Sequence, residues 1–261
     1  MMPKKAPVFF ISHGAPTFAI EPDELSDYLT RLGQMLTGVN AVLVVSPHWQ
    51  TRGLQVMTTQ HLETTHDFSG FPQALYQLQY PTHGHLDLAE ATMALLESFG
   101  LEAEAESSRG LDHGAWVPLM YLLPDANIPV FQVSMPKDLN AASALKLGAA
   151  LSGMREKGVL IIGSGGLTHN LYEISPKDSK PASYIEPFVS WMREAVIARD
   201  FEKLANYRQL APNAARAHPT DEHLLPLMVA IGATAEDEKP KVVHGDIYYS
   251  MLAMESYFWG L

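Results

Sequence analysis

The chain contains no cysteine, which excludes disulfides, thiolate nucleophiles and every cysteine-based zinc or iron–sulfur site. Positive charge is also scarce: 18 lysines and arginines stand against 29 acids, a formal charge of −11, with no basic cluster. Nucleic acid and anionic lipid both require concentrated positive charge, so neither is an expected partner. No segment reaches the ~18 consecutive apolar residues of a membrane span. The start, Lys4-Lys5 and then Pro7 to Ile11, is too short for the core of a signal peptide, and a cytoplasmic location is expected. Proline- or serine-rich linkers, internal repeats and low-complexity tracts are missing too, so residues 1–261 read as a single domain. What remains is a chain 47% hydrophobic and only 18% charged, able to bury a sizeable core, with eleven histidines as its strongest metal-binding and acid–base groups.

Short apolar runs alternate with longer amphipathic stretches, which predicts an α/β fold with a mostly parallel or mixed central sheet flanked by helices on both faces. Strands are expected at Val8–Ser12, Ala41–Ser46, Leu54–Thr58, Glu102–Ser107, Val130–Ser134 and Val159–Ile162. Helices are expected at Pro22–Leu36, Asp87–Phe99, Asn140–Glu156, Ser183–Arg199, Phe201–Tyr207 and Asp221–Ile231, with a further buried helix at Trp116–Leu123. Gln60–Tyr80 lacks periodicity and reads as a long surface loop.

Three expected strands lead into a histidine: His13 follows Ser12, His48 follows Ser46-Pro47, and His169 follows the glycine-rich stretch Gly163–Thr168. Ligands in open α/β sheets bind beyond the carboxyl ends of the strands, so these three imidazoles are expected to converge on one site. His113 lies in Asp112-His113-Gly114-Ala115-Trp116, where Asp112 is a candidate helix cap. His223 is expected in the first turn of its helix, after a cap at Thr220 or Asp221, where the dipole keeps imidazole neutral for coordination. His61, His66, His83, His85 and His244 have weaker contexts and are left outside the site. Gly163-Ser164-Gly165-Gly166 is not a nucleophile elbow, which needs glycine where Ile162 stands, nor does it carry the Lys-Ser/Thr pair of a phosphate loop. Its glycines are expected to make room for substrate beside His169.

Ser12-His13-Gly14-Ala15-Pro16, Ser46-Pro47-His48-Trp49, His66-Asp67-Phe68-Ser69-Gly70-Phe71-Pro72, Leu111-Asp112-His113-Gly114-Ala115-Trp116, Gly163 to Asn170, and His218-Pro219 with His223 occur in this order. Together they resemble the class III extradiol ring-cleavage dioxygenases, most closely the DOPA 4,5-dioxygenase branch, over Pro7 to about Leu227. The resemblance implies non-haem Fe(II) held by His13, His48 and His223, with His169 as base or further ligand and His113 as proton donor near oxygen. The substrates it implies are dioxygen and a small catechol, L-DOPA among the candidates. Wider-family members use a glutamate as third ligand; here the matching position is His223, with Glu222 beside it. An all-histidine site carries less negative charge, which makes Zn(II) a strong competitor and a plausible bound ion, while activity is expected with Fe(II). Two alternatives are a zinc-dependent hydrolase with His169 free, and a non-catalytic protein that binds metal or a small ligand in the same pocket. Phe68 to Phe71 and Trp49 are candidates to face the aromatic ring.

Overall fold

The computed structural model describes residues 5–261; Lys4, read above as part of the basic start, lies outside them. The strands needed here are β1 (Val8–Ser12), β2 (Ala41–Val45), β3 (Leu54–Met57), β4 (Ala103–Glu106), β5 (Val130–Gln132), β6 (Val159–Gly165), β7 (Lys241–Val243) and β8 (Ser256–Trp259). The main helices are α1 (Glu24–Met35), α2 (Leu86–Ser98), α3 (His113–Leu122), α4 (Ala141–Leu151), α5 (Ile185–Ala198) and α6 (Leu225–Gly232). The central sheet has six strands in the order β5-β2-β6-β1-β8-β7. Its first four strands are mutually parallel, while β8 runs antiparallel to β1 and β7 antiparallel to β8, so the sheet is mixed, as expected.

Every residue of β1, β2 and β6 is buried. Continuous apolar runs such as Val8-Phe9-Phe10-Ile11 and Val42-Leu43-Val44-Val45 form strands of this kind because both faces of a parallel sheet are covered. Helix α6 is buried along its whole length and packs on β6 and β1, with α4 packed on α6 in turn; α1 packs on α3. β3 and β4 pair with each other, in parallel, away from the six-stranded sheet.

Several boundaries move. The expected helix over Asn140–Glu156 is α4, opened by a reciprocal Asn140/Ser143 capping box, followed by a 3₁₀ turn at Ser152–Lys157. The stretch Phe201–Tyr207 divides into Phe201–Ala205 and Tyr207–Leu210. Helix α6 begins at Leu225, four residues later than read, because the chain first turns tightly through Asp221–Leu224 before Pro226 sets its first turn. β7 and β8 were not anticipated. Among the described residues no helix is long and apolar enough to cross a membrane.

The glycines of β6 serve a different purpose from the one expected. A β-carbon at Gly163 would lie 2.0 Å from the Pro226 carbonyl oxygen, and one at Gly165 would lie 2.3 Å from that of His223. Their missing side chains admit the backbone of the His223–Gly232 segment onto the strand; they do not clear space for substrate. Gly163→Ala should therefore push α6 off the sheet and cost at least ~2 kcal/mol in urea denaturation. Gly166→Ala, whose β-carbon would meet nothing closer than 3.4 Å, should stay within ~1 kcal/mol of the parent.

Candidate metal centre

Because β2, β6 and β1 are adjacent and parallel, their carboxyl ends share one edge of the sheet. Ser12 is in register with Gly165 and Val45 with Gly163, and the His13 amide donates to the Gly165 carbonyl at 2.9 Å. The residues just beyond these ends, His13, His48 and His169, accordingly approach one another. Two further segments complete the group. His113 is the first residue of α3, and His223 is carried in by the turn before α6, where its carbonyl accepts the Gly166 amide at 2.9 Å.

Ring centroids of His13 lie 5.1, 5.5 and 5.7 Å from those of His48, His113 and His223. His48 is 3.9 Å from His113 and 5.2 Å from His223, and His169 stacks on His223 at 3.5 Å with 7° between the planes. One ligand atom each from His13, His48 and His113 fall within 4.8 Å of one another, as do those of His169, Glu222 and His223. His113, read as a proton donor only, thus stands as close to His13 and His48 as a ligand would. His223 is not in the first turn of a helix; it precedes α6 by two residues, so its neutrality has to come from something other than a helix dipole.

The rings are oriented from behind. His13 Nδ1 lies 2.9 Å from Ser164 Oγ, and the single hydroxyl proton of Ser164 is already donated to the Gly114 carbonyl, so Nδ1 carries hydrogen and Nε2 the lone pair. His113 Nδ1 is 2.9 Å from Asp67 Oδ1, which also accepts the His113 backbone amide at 2.9 Å. His223 Nδ1 is 3.0 Å from Glu222 Oε1, and His48 Nδ1 faces Asp67 Oδ2 at 3.7 Å. The Nε2 atoms of His13 and His48 meet at 3.2 Å. With the His13 Nε2 bearing a lone pair, that approach requires a proton or a cation between the rings. Imidazoles held by oxygen at Nδ1, with the Nε2 atoms of His13 and His48 turned toward each other, are a donor set that fits a divalent cation.

Burial disfavours the charged form of His13, His48, His169 and His223. It is the main cause that lowers His13 and His223 well below the ordinary value of 6.5, reinforced in His13 by His48 and in His223 by His169. Burial and the neighbouring His113 bring His48 down to about 4 against the opposing pull of Asp112 and Asp67, and burial lowers His169 although Glu222 raises it. Burial alone would raise Asp67, but its hydrogen bond from His113 and the ring's charge outweigh that and hold it at about 2.

Residues around this centre fall differently from the reading. Asp112 precedes α3 without capping it through its side chain; the carboxylate is fully buried and accepts Ser46 Oγ at 2.7 Å, Gln132 at 2.9 Å and Arg109 at 3.3 Å. Trp49 is buried under the Arg109 guanidinium, 5.2 Å from its ring, and does not join the aromatic residues of the loop. Phe68 does reach the centre, edge-on to His113 at 5.6 Å and to Phe71 at 5.5 Å. His66, left outside, donates through Nε2 to the Leu78 carbonyl at 3.1 Å. Fully buried His218 bonds the Leu167 carbonyl at 2.9 Å through Nε2. Asp67, Ser164 and Glu222 received no role from the sequence, although Asp67 lies in the His66–Pro72 stretch that carries the resemblance and Glu222 beside His223.

The profile described as the catalytic LigB subunit of aromatic ring-opening dioxygenase matches residues 7–260. The chain belongs to this family. It is 38% identical over 253 residues to a 4,5-DOPA dioxygenase extradiol of Beta vulgaris, covering 95% of this chain and 94% of that one. It is 33% identical over 237 residues to the protein of that name in Escherichia coli K12, with 89% and 87% covered. Among solved structures it resembles an uncharacterized Escherichia coli K12 protein with a TM-score of 0.81 at 26% identity, covering 97% and 99% of the two chains. The resemblance to extradiol ring-cleavage dioxygenases is borne out, and the protein is an enzyme of that ring-opening class. The hydrolase and binding-protein alternatives are not favoured.

Buried neutral histidines have a measurable linkage. His48 and His218 sit near 4 in the folded protein and near 6.5 when unfolded, so the unfolded chain binds more protons between those values. Stability of the metal-free protein should thus be flat above pH 6.5 and fall as pH drops toward 4. His218→Gln, which can still donate to Leu167, should remove about one proton from that slope in urea titrations at pH 7, 5.5 and 4.5.

Proposed function

We propose that the protein opens the ring of a small catechol by extradiol cleavage with dioxygen, L-DOPA being one candidate, at a centre held by His13, His48 and His223. The observation that carries this reading is the clustering of the three rings, whose centroids lie 5.1, 5.2 and 5.7 Å apart, with Nδ1 of each facing Ser164, Asp67 or Glu222. The relatives named 4,5-DOPA dioxygenase extradiol support the regiochemistry and the substrate class. The proposed catalytic domain is the whole of residues 1–261, located in the cytoplasm and acting without nucleic acid or membrane.

Fe(II) bound by these three imidazoles would supply the redox-active centre to which catechol and dioxygen are both brought. The remaining chemistry belongs to the chain. A catechol must give up hydroxyl protons to bind as a catecholate, and His169, kept neutral by burial, is the base for one of them. Its parallel stacking on His223 favours this role over that of a fourth ligand. An ion ~2.1 Å from both nitrogens would have to lie between planes 3.5 Å apart, well off both lone-pair directions. His113, against His48, is the acid group, and Phe68 offers its ring beside it for contact with the substrate. Zn(II) suits the same imidazoles and outranks Fe(II) in intrinsic affinity, so it is proposed as a resting or inhibitory occupant.

The test is to strip the protein with a chelator, reload it without oxygen with Fe(II) or Zn(II), and follow oxygen uptake and the yellow semialdehyde from L-DOPA and simpler catechols. The iron form should be active and the zinc form should not. Equal activity of the two forms, or none on any catechol, would overturn the reading. In the iron form, His169→Ala and His113→Ala should each lower turnover by ~10²–10⁴ with the fold intact. His13→Ala and His223→Ala should instead be detected as lost metal affinity in a chelator competition.

A further inference from the structure

A cavity of about 560 Å³ opens at the edge of the sheet opposite the histidines, bounded by the residues before β1, the chain leaving α1 and the end of β8. β8 is antiparallel to β1 with Trp259 opposite Val8, so this is the amino end of β1, a full strand length from His13. Small-molecule sites commonly enclose ~300–1,000 Å³, a range that includes this one. Leu32, Met35 and Leu36 at the end of α1 and the ring of Tyr28 supply apolar wall. Lys5 and Lys241 supply the charge, and among the described residues no aspartate or glutamate lines the cavity. Both lysines are exposed whereas Leu32 is buried, which puts positive charge at the rim and apolar surface at the floor. Lys5 is paired with Glu156 at 3.2 Å, but Lys241 forms no ion pair among the described residues. Its ammonium lies 4.8 Å over the Tyr28 ring, because Lys241 is in register with Phe258 and the Phe258 ring packs on Tyr28 at 4.9 Å. The Tyr28 hydroxyl is shielded from solvent and has no hydrogen-bond partner among the described residues.

We propose that this cavity is a second ligand site, separate from the metal centre, that takes a small monocarboxylate with an apolar tail. The carboxylate pairs with Lys241 at the rim, and the tail lies on Leu32, Met35 and Leu36. Charge and its placement decide the class. A cationic ligand meets two ammonium groups and no acid on the wall. A ligand with no charge leaves Lys241 covered and unpaired, which costs the hydration of its ammonium. A polyphosphate needs many convergent donors, and two lysines with no arginine on the wall do not supply them. One negative charge on an apolar body satisfies both rim and floor. Contact with the Tyr28 ring holds the Lys241 ammonium in place beforehand, so little side-chain freedom is lost when the carboxylate arrives.

The test does not depend on what the metal centre does. Zinc-loaded full-length protein with ¹³C-methyl-labelled methionine is titrated with sodium octanoate and followed by NMR. The Met35 methyl signal, assigned by its loss in Met35→Leu, should shift and saturate with a Kd below ~1 mM. Met254, which lies against Gly14 beside His13, reports on the metal centre and should not move over the same range. Hexanoate, which buries two methylenes fewer, should bind ~10-fold more weakly. Octylammonium, with the same tail and the opposite charge, should not saturate below ~10 mM. Lys241→Gln should weaken octanoate ~3–5-fold, the effect of losing one partly exposed ion pair, and Lys241→Glu should weaken it further. A Met35 signal that stays still up to ~10 mM octanoate, octylammonium binding as tightly as octanoate, or unchanged affinity in both Lys241 variants would overturn the proposal. A shift of Met254 with Met35 unmoved would overturn it too, because the carboxylate would then be bound among the histidines.

Discussion

His13 is fixed at both ends, and the geometry of the centre is referred to it. Its amide is held by the Gly165 carbonyl across the β1–β6 pairing, while its Nδ1 is held by Ser164, a residue of the same neighbouring strand. Ser164 is in turn tied to the Gly114 carbonyl at the start of α3, which is where His113 stands. A slip of one residue between β1 and β6 would turn Ser164 to the opposite face and take the support away from both histidines. The full burial of these strands specifies the register, because any slip would also move apolar residues out of the two layers that cover the sheet. Packing of the core and orientation of the site are thus one constraint.

That constraint crowds imidazoles together where burial disfavours a charge on His13, His48, His169 and His223. Burial is the main cause in His13, His48, His169 and His223 and neighbouring rings add to it, so protonation of these four is pushed below the range in which histidine ordinarily titrates. Below pH 6.5 the fold gives up stability to keep the rings neutral, since the unfolded chain would gladly bind those protons. What it gains is a set of lone pairs available at neutral pH without prior loss of a proton. Buried polar clusters of this kind are a local cost that the surrounding apolar packing, here α6 on β6 and β1, has to offset.

Much of this was legible in the sequence for a simple reason. Val8–Ser12, Ala41–Val45 and Val159–Gly165 are runs whose consecutive apolar residues can only be satisfied in a doubly covered sheet, and the histidine after each run then follows from the carboxyl-edge rule. The parts that were not legible depend on distant partners. Ser256–Trp259 is four residues long and becomes a strand only because β1 offers its free edge. The start of α6 was misplaced because Asp221 resembles a cap, whereas its turn serves to bring His223 over Gly165. Asp112 likewise resembles a cap, and its actual partners Ser46 and Gln132 lie on other segments. Nothing near Asp67 in sequence could announce a ring 46 residues away.

The family resemblance implies His223 where wider-family members have a glutamate ligand, and under the proposed ligand set that exchange has an electrostatic counterpart in the fold. A histidine ligand brings no negative charge of its own, which weakens the hold on a divalent cation and narrows the preference among metals. Here the carboxylates have not left; they stand one ring further out. Glu222 lies against Nδ1 of His223, and Asp67 against Nδ1 of His113 with His48 in reach. An acceptor at Nδ1 raises the basicity of Nε2 and transmits part of its charge through the ring. Under the proposed ligand set the negative charge thus stands behind the imidazoles rather than on the metal, where it still raises the donor strength of Nε2.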